Sequence, residues 1–258
     1  MRTGVACWVA GLLVVLQGCA PYRRVEGPLV QVHDKSPCAK PARELIVMLP
    51  GLYDRPADFV DQGFVHAVRE RRINADITLL DAHVGYYNER QIVARLRREV
   101  IAPAQAKGYE RIWLVGVSLG GMGALLYSQA HPQDIAGFYA LAPYLGEKPL
   151  LQAVRQSGLA QWQPVAPDAI GAQAWRLAQA YANGAPGLPQ GHVGYGQGDR
   201  FAQANAMFAS ALPAHHRYVV EGGHDWRTWL ALWTAFLDDA RSADPLWRVG
   251  ACAQAPGS

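Results

Sequence analysis

Continuous apolar segments of strand length, separated by helical patterns, constrain the fold of this chain most strongly. Residues 44–49 (ELIVML) and 111–117 (RIWLVGV) are almost wholly apolar, as strands buried on both faces of a parallel sheet require. Apolar residues recur at helical spacing over 88–106, where Pro103 should kink or end the helix. The alternation predicts right-handed crossovers and a mostly parallel central sheet flanked by helices. Further strands are predicted at 76–81, 135–141, 192–196 and 217–221, and helices after Asp54 as cap, at 119–130, from about 201 and from 226.

Segments that interrupt the alternation of predicted strands and helices indicate the domain organisation. Residues 19–43 are rich in Pro and Arg and are expected to form a tether, with one short strand at 29–32. The single folded domain is expected over 44–258, because 258 residues that are half hydrophobic can bury one substantial core. Residues 144–188, rich in proline and glycine, predict a small inserted cap with two short helices.

The N-terminus has the pattern of an export signal. Arg2 precedes an apolar run from Val5 to Leu16, which is too short to span a bilayer as a helix. The sequence LQGC that ends at Cys19 resembles the lipobox of bacterial lipoproteins. The resemblance implies a signal peptide at 1–18, lipidation of Cys19 and a cell-envelope location, on the periplasmic face of the outer membrane if the cell is Gram-negative. An ordinary secretory signal with a chance cysteine is the alternative.

Two cysteines remain near the ends of the mature chain. An exported protein meets an oxidising compartment, so a Cys38–Cys252 disulfide is expected, with two free thiols as the alternative. The net charge of +3 is scattered and includes no basic run, which argues against a nucleic-acid partner. Oligomeric state is not predicted.

The segment GVSLG, with Ser118 at its centre, follows a predicted buried strand and opens a predicted helix. This is the context of a G-x-S-x-G nucleophile elbow, in which Gly116 and Gly120 remove side chains that would clash in the tight turn. Ser118 would then stand at a helix N-terminus, where developing negative charge is favoured. A Gly/Ser turn without catalytic function is the alternative.

A serine nucleophile needs a base and a group that orients the base. His224 lies in GGHDW, after the last strand and before the last helix, where two glycines let the loop place its imidazole over the sheet edge. A histidine that caps the last helix is the alternative. Asp199, in GQGDRF just past the preceding strand, is the expected partner. Asp225, which is expected to cap the last helix, and Asp168 in the cap are the alternatives.

The oxyanion of an acyl-transfer intermediate needs two N–H donors. The expected donors are the backbone N–H of Leu119, next to the nucleophile, and that of Leu52, in the loop after the first buried strand. Gly51 gives room for the second donor, and Tyr53 is expected to line the acyl pocket, to donate through its hydroxyl or to lie on the surface.

Together PGLYD, GVSLGG, GQGDRF and GGHDWRTW resemble the α/β-hydrolase superfamily, and GVSLGGMGAL and GGHDW are similar to a group of its esterases that includes esterase D and the mycolyltransferases. The resemblance implies an α/β-hydrolase fold and a serine hydrolase that cleaves a small-molecule ester or thioester through an acyl-serine. An acyltransferase, peptidase or C–C hydrolase on the same fold and a non-catalytic envelope binding protein are the alternatives. No metal cluster and no nucleotide-binding motif is evident, so no cofactor is expected.

Overall fold

The computed structural model describes residues 23–164, 170–243 and 252. The predicted signal peptide, Cys19 and Asp168 lie outside the described residues. The strands are β1 (Gln31–Asp34), β2 (Glu44–Leu49), β3 (Ala75–Leu80), β4 (Arg111–Val117), β5 (Gly137–Leu141), β6 (Gln190–Gly196) and β7 (Arg217–Val220). The α-helices are α1 (Pro56–Asp61), α2 (Phe64–Glu70), α3 (Val84–Asn88), α4 (Ile92–Arg95), α5 (Ala102–Ala106), α6 (Leu119–Ala130), α7 (Lys148–Ser157), α8 (Ile170–Ala182), α9 (Ala202–Ala209) and α10 (Trp226–Ala243).

The seven strands form one sheet in the order β1-β3-β2-β4-β5-β6-β7. All neighbouring pairs are parallel except β1 with β3, which is antiparallel. The carboxyl ends of β2 to β7 therefore lie at one edge of the sheet. In such sheets this edge is where ligands bind.

Side chains along each strand alternate between two apolar layers, as strand geometry requires. In β2, Leu45, Val47 and Leu49 pack in a layer with residues of α4, α5, α6, α8 and α9. Ile46 and Met48 pack on the opposite face with residues of α1, α2 and α10. The predicted mostly parallel sheet with flanking helices is confirmed.

The predicted tether is wrong for residues 23–43, because this segment packs on the domain. β1 lies at 31–34 rather than 29–32 and pairs with β3. Leu29 is buried, and its N–H donates to Glu99 Oε2 at 2.6 Å. Pro103 has no N–H to offer the carbonyl of Glu99, and the amide of Gln31 donates to that carbonyl at 3.0 Å.

The predicted helix over 88–106 is interrupted. It contains α4, a π-helical turn at Leu96–Ile101 and α5, with Pro103 in the first turn of α5. The π turn absorbs the proline without ending the helix. The predicted cap residue of the first helix is also corrected: α1 begins after Arg55, with Pro56 in its first turn.

The predicted cap at 144–188 is smaller than expected. Both predicted helices are present, but α8 is part of the layer on the sheet: Trp175 and Leu177 are fully buried and α8 packs on α6. The indole N–H of Trp175 donates to the carbonyl of Leu145 at 3.0 Å. In the described part of the chain, α7 and its flanking loops stand at the carboxyl edge of the sheet, whereas α8 crosses over between β5 and β6.

A disulfide joins Cys38 and Cys252, whose Cα atoms are 4.7 Å apart. The N–H of Cys252 also donates to the carbonyl of Arg72 at 3.3 Å. The bond fixes the segment before β2 to the C-terminal part of the chain. None of the helices in the described part of the chain combines the length and apolarity that crossing a bilayer requires.

Candidate active site

Ser118 lies in a strained turn between β4 and α6. Its φ of +52° falls in the left-handed region that side chains rarely adopt, at a cost of about 1–3 kcal/mol. The turn is held by a hydrogen bond from the Ser118 N–H to the carbonyl of Leu141 at 2.8 Å. A Cβ on Gly116 would lie 2.2 Å from the Gly120 oxygen, and one on Gly120 would lie 2.1 Å from the Leu49 oxygen. Both glycines are therefore required by close backbone contacts.

The structure brings Ser118, His224 and Asp199 into one line of contacts. Ser118 Oγ lies 2.9 Å from His224 Nε2, and His224 Nδ1 lies 2.7 Å from Asp199 Oδ2. The Asp199 side chain is fully buried and that of His224 is 10% exposed. The other carboxylate oxygen of Asp199 accepts from the N–H of Phe201 at 2.7 Å. The carboxylate is thus fixed in orientation by both its oxygens.

The loops that carry Asp199 and His224 are joined by backbone hydrogen bonds. The N–H of Gly198 donates to the carbonyl of Gly222 at 2.9 Å, and that of Gln197 donates to Val220 at 2.8 Å. Gly222 has a φ of +132°, and a Cβ there would lie 2.2 Å from Thr228 Oγ1. The glycine lets the loop after β7 approach α10 closely and turn His224 toward Ser118.

Aromatic rings enclose the imidazole of His224 on two sides. Phe201 and Trp229 each meet it edge to face, with ring centroids 5.0 Å apart. These contacts restrict rotation of the ring and exclude water from its faces. Neither residue was predicted to lie at the site. Trp229 belongs to the apolar stripe of α10, and Phe201 lies two positions after Asp199.

Asp225, the one alternative acid that the structure describes, forms no hydrogen bond with His224. Asp225 caps α10, because its Oδ1 accepts from the N–H of Thr228 at 2.9 Å and from the Thr228 hydroxyl at 3.0 Å. These bonds lower the pKa of Asp225 below its ordinary value. The capping role expected for Asp225 is confirmed.

The loop after β2 brings Leu52 to the same cavity that Ser118 lines. The N–H of Gly51 donates to Asp54 Oδ2 at 3.1 Å, whereas no acceptor among the described residues takes the N–H of Leu52. Asp54 Oδ1 also accepts from the Trp226 indole at 3.3 Å. Burial raises the pKa of Asp54 above its ordinary value. Asp54 therefore fixes the loop that carries Leu52, a role that its expected position as a helix cap did not suggest.

A cavity of about 670 Å³ opens over Ser118. Apolar side chains line most of it, together with two arginines and one carboxylate. The lining residues include Leu52, Val84, Tyr87, Asn88, Arg90, Leu119, Met122, Tyr144, Glu147, Leu150, Arg200 and Phe201. Its volume and apolar lining suit the acyl group of a small molecule. No group of three or more His, Cys, Asp or Glu residues among those the structure describes is arranged to hold a metal ion.

The profile of the α/β-hydrolase fold family matches residues 87–183, which include Ser118 and end before Asp199 and His224. Among curated protein sequences, none matches this chain significantly.

Solved structures of similar fold include esterases and hydrolases at low sequence identity. An S-formylglutathione hydrolase from Staphylococcus aureus is 14% identical with a TM-score of 0.57, covering 80% of this chain and 96% of its own. A ferulic acid esterase is 16% identical with a TM-score of 0.53, covering 86% and 99%. Est1E from Butyrivibrio proteoclasticus with bound ferulic acid is 13% identical with a TM-score of 0.54, covering 83% and 96%. The family profile, the sheet order and these neighbours together show that the chain has the α/β-hydrolase fold.

Proposed function

We propose that this chain is a serine hydrolase that cleaves a carboxylic ester or thioester through an acyl-serine at Ser118. The observation that carries the proposal is the continuous contact from Asp199 through His224 to Ser118, at 2.7 Å and 2.9 Å. A binding protein has no need for a buried carboxylate that orients an imidazole onto a strained serine.

In the first half of the reaction, the Ser118 hydroxyl attacks the acyl carbon. His224 Nε2 takes the hydroxyl proton, while Asp199 holds the proton on Nδ1 and stabilises the imidazolium. The negative charge that forms on the acyl oxygen is stabilised by the N–H groups of Leu119 and Leu52. Leu119 occupies the first turn of α6, where N–H groups lack helical partners.

In the second half, the groups exchange roles. The leaving alcohol or thiol takes the proton from His224 as its bond to the acyl carbon breaks. A water molecule then attacks the acyl-serine with His224 again as base, and the acid product is released. The edge-to-face contacts of Phe201 and Trp229 keep the imidazole aligned through both halves.

The cavity supports an acyl ester or thioester as substrate. Met122, Val84 and Leu150 provide apolar surface beside Ser118. The similar structures are named as a ferulic acid esterase and an S-formylglutathione hydrolase, and these names agree with ester or thioester chemistry on this fold.

A fluorophosphonate probe tests the proposal directly, because it phosphonylates only an activated serine. The native protein should be labelled at Ser118 and should hydrolyse p-nitrophenyl butyrate. Ser118→Ala should lose both properties, while the matched control Ser210→Ala, which changes an exposed serine, should keep both. Parallel trials with acyl-CoA and peptides separate ester from thioester and peptide cleavage. Unlabelled native protein would favour a binding function.

We also propose that the mature chain is anchored to the cell envelope by lipid on Cys19. The apolar run that ends in LQGC supports this proposal. Labelling of growing bacterial cells with radioactive palmitate should mark the native chain and not Cys19→Ala. Equal labelling of the two proteins, or none in the native chain, would reject the anchor.

A further inference from the structure

The described chain begins beside the catalytic cavity. The Arg23 carbonyl lies against Gly85 in α3, so closely that a Cβ on Gly85 would be 2.1 Å from it. The Arg23 guanidinium also donates to Asp81 Oδ1 at 3.0 Å, and the N–H of Val25 donates to Glu89 Oε1 at 3.0 Å. Residues 23–25 are thus held along α3.

Helix α3 forms one wall of the cavity. Val84, Tyr87 and Asn88 line the space over Ser118. Asp81 follows the carboxyl end of β3, at the same sheet edge as Ser118. The first described residues therefore lie at the catalytic edge, one short helix away from the cavity.

The position of Arg23 limits where a lipid on Cys19 can be. Three residues separate the two, so their Cα atoms are at most about 14 Å apart in any conformation. An anchor this short keeps the catalytic edge close to the headgroup surface. Lys107, which precedes β4, lies at the opposite edge of the sheet.

The surface around the mouth has side chains that suit an anionic lipid headgroup. Arg90 and Arg200, which line the cavity, are exposed, and no carboxylate among the described residues forms a salt bridge with either. Arg24, next to Arg23 in the chain, is also exposed. Tyr53 is 83% exposed and Leu52 is 40% exposed beside the cavity. A guanidinium group can donate two parallel hydrogen bonds to two oxygens of one phosphate. Exposed tyrosines are enriched at the membrane interface.

One carboxylate lies in the same cavity. Glu147 accepts a hydrogen bond from the hydroxyl of Tyr144. This bond leaves one carboxylate oxygen of Glu147 engaged within the protein. The two arginines of the cavity, Arg90 and Arg200, outnumber it. The cavity thus has an excess of positive charge beside its apolar lining.

We propose that the cavity opens toward the membrane to which Cys19 anchors the chain, and that its substrate is a carboxylic ester of a membrane lipid with an anionic headgroup. The inference rests on the proposed acyl-serine chemistry and on the proposed lipidation. In turnover the bond from Ser118 Oγ to the acyl carbon forms as the ester C–O bond of the lipid breaks. The freed lipid alcohol takes the proton from His224, and water then releases the fatty acid.

Fluorescence quenching measures which edge faces the bilayer. The lipidated full-length protein is placed in phosphatidylglycerol-containing vesicles whose headgroups carry a nitroxide quencher. A fluorophore is attached through Tyr53→Cys at the mouth or, as the matched control, through Lys107→Cys at the opposite edge. The label at position 53 should be strongly quenched and the label at 107 should not. Circular dichroism and thermal unfolding establish that both labelled proteins are folded.

A long linker separates anchoring from orientation. Thirty Gly/Ser residues inserted between Tyr22 and Arg23 leave the lipid on Cys19 unchanged. The linker's mean end-to-end distance of roughly 30 Å lets the domain move away from the anchor. The difference in quenching should then disappear, and hydrolysis of a fluorogenic phosphatidylglycerol in the same vesicles should fall about tenfold. Turnover of water-soluble p-nitrophenyl butyrate should not change, since the insertion lies outside the cavity.

The outcomes separate this inference from the proposed function. Equal quenching at the two positions, quenching at neither, a Cys19 without lipid by mass spectrometry, or hydrolysis of the vesicle lipid unaffected by the linker would overturn it. Loss of p-nitrophenyl butyrate hydrolysis in the native protein would instead overturn the acyl-serine function, and the quenching pattern would still report the orientation.

Discussion

Both carboxylate oxygens of Asp199 form hydrogen bonds. Oδ2 contacts His224 Nδ1, while Oδ1 accepts from the N–H of Phe201. A carboxylate at this position keeps the proton on Nδ1 and leaves Nε2 free to accept from Ser118. The catalytic competence proposed for the site therefore depends on the chemical nature of this side chain as well as on its shape.

Asp199→Asn should lower kcat for p-nitrophenyl butyrate by about 10⁴, because an amide can donate to Nδ1 and stabilise the wrong tautomer. Asp225→Asn is the matched control: asparagine caps helices about as well as aspartate, so kcat should change little. Thermal unfolding of both variants checks the fold. A kcat for Asp199→Asn near that of the control would assign the orienting role to another acid.

Asp54 is expected to act as a positioning residue. Asp54→Ala removes the acceptor for the Gly51 N–H and frees the loop that aims the Leu52 N–H, so kcat should fall about 10- to 100-fold with little change in KM. The control Asp58→Ala removes an exposed acceptor for the Arg55 N–H at the start of α1 and should leave kcat unchanged. A change in KM alone would place Asp54 in substrate binding.

At the scale of single elements, strands and helices with strong local patterns were predictable. The strand at 111–117 and the helix at 119–130 have the predicted bounds, because both are apolar segments that are followed by a polar residue, Ser118 or His131. The π turn before Pro103 was not predicted, because a proline there is compatible with either a kink or a helix end. The Gln31 side chain, far away in sequence, donates to the Glu99 carbonyl within that turn.

The elbow between β4 and α6 should tolerate no side chain at Gly120. Gly120→Ala places a Cβ against the backbone carbonyl of Leu49, which cannot move without displacing β2, so stability should fall by about 3 kcal/mol. Gly27→Ala, at an open position with a φ of +65°, is a control expected to cost about 1 kcal/mol. Urea unfolding of both variants measures the difference. Equal costs would show that the close contact is relieved by relaxation.

At the scale of the whole molecule, the sequence was least informative where distant segments meet. The segment before residue 44 has the composition of a tether, but β1 completes the sheet and Leu29 is buried. The packing of α8 on α6 was also missed, because the prolines and glycines around it are typical of an insertion. The line of contacts at Ser118 was easier to anticipate, since strand ends in a parallel sheet meet at one edge.

His192 should make the stability of the domain depend on pH. Burial, followed by the nearby His216 and His215, lowers its pKa from the ordinary 6.5 to about 3. The unfolded chain binds a proton below pH 6.5 and the folded chain does not, so stability is present above pH 6.5 and is lost as pH falls toward 3. From this residue alone the free energy of unfolding should drop by about 2 kcal/mol between pH 8 and pH 5.

Urea unfolding at the two pH values measures this loss. His192→Phe should remove most of it, whereas the control His66→Gln, at an exposed position on α2, should keep it. An unchanged pH dependence in His192→Phe would attribute the loss to other groups.

The acyl-serine is the central claim, and mass spectrometry of the protein during turnover tests it most directly. Rapid acid quenching of the native protein with p-nitrophenyl butyrate should trap one butyryl group per chain, and peptide mapping should place it on Ser118. The trapped group should be absent from His224→Ala, because the serine then has no base. A butyryl group on another residue, or full ester turnover by Ser118→Ala, would contradict the account.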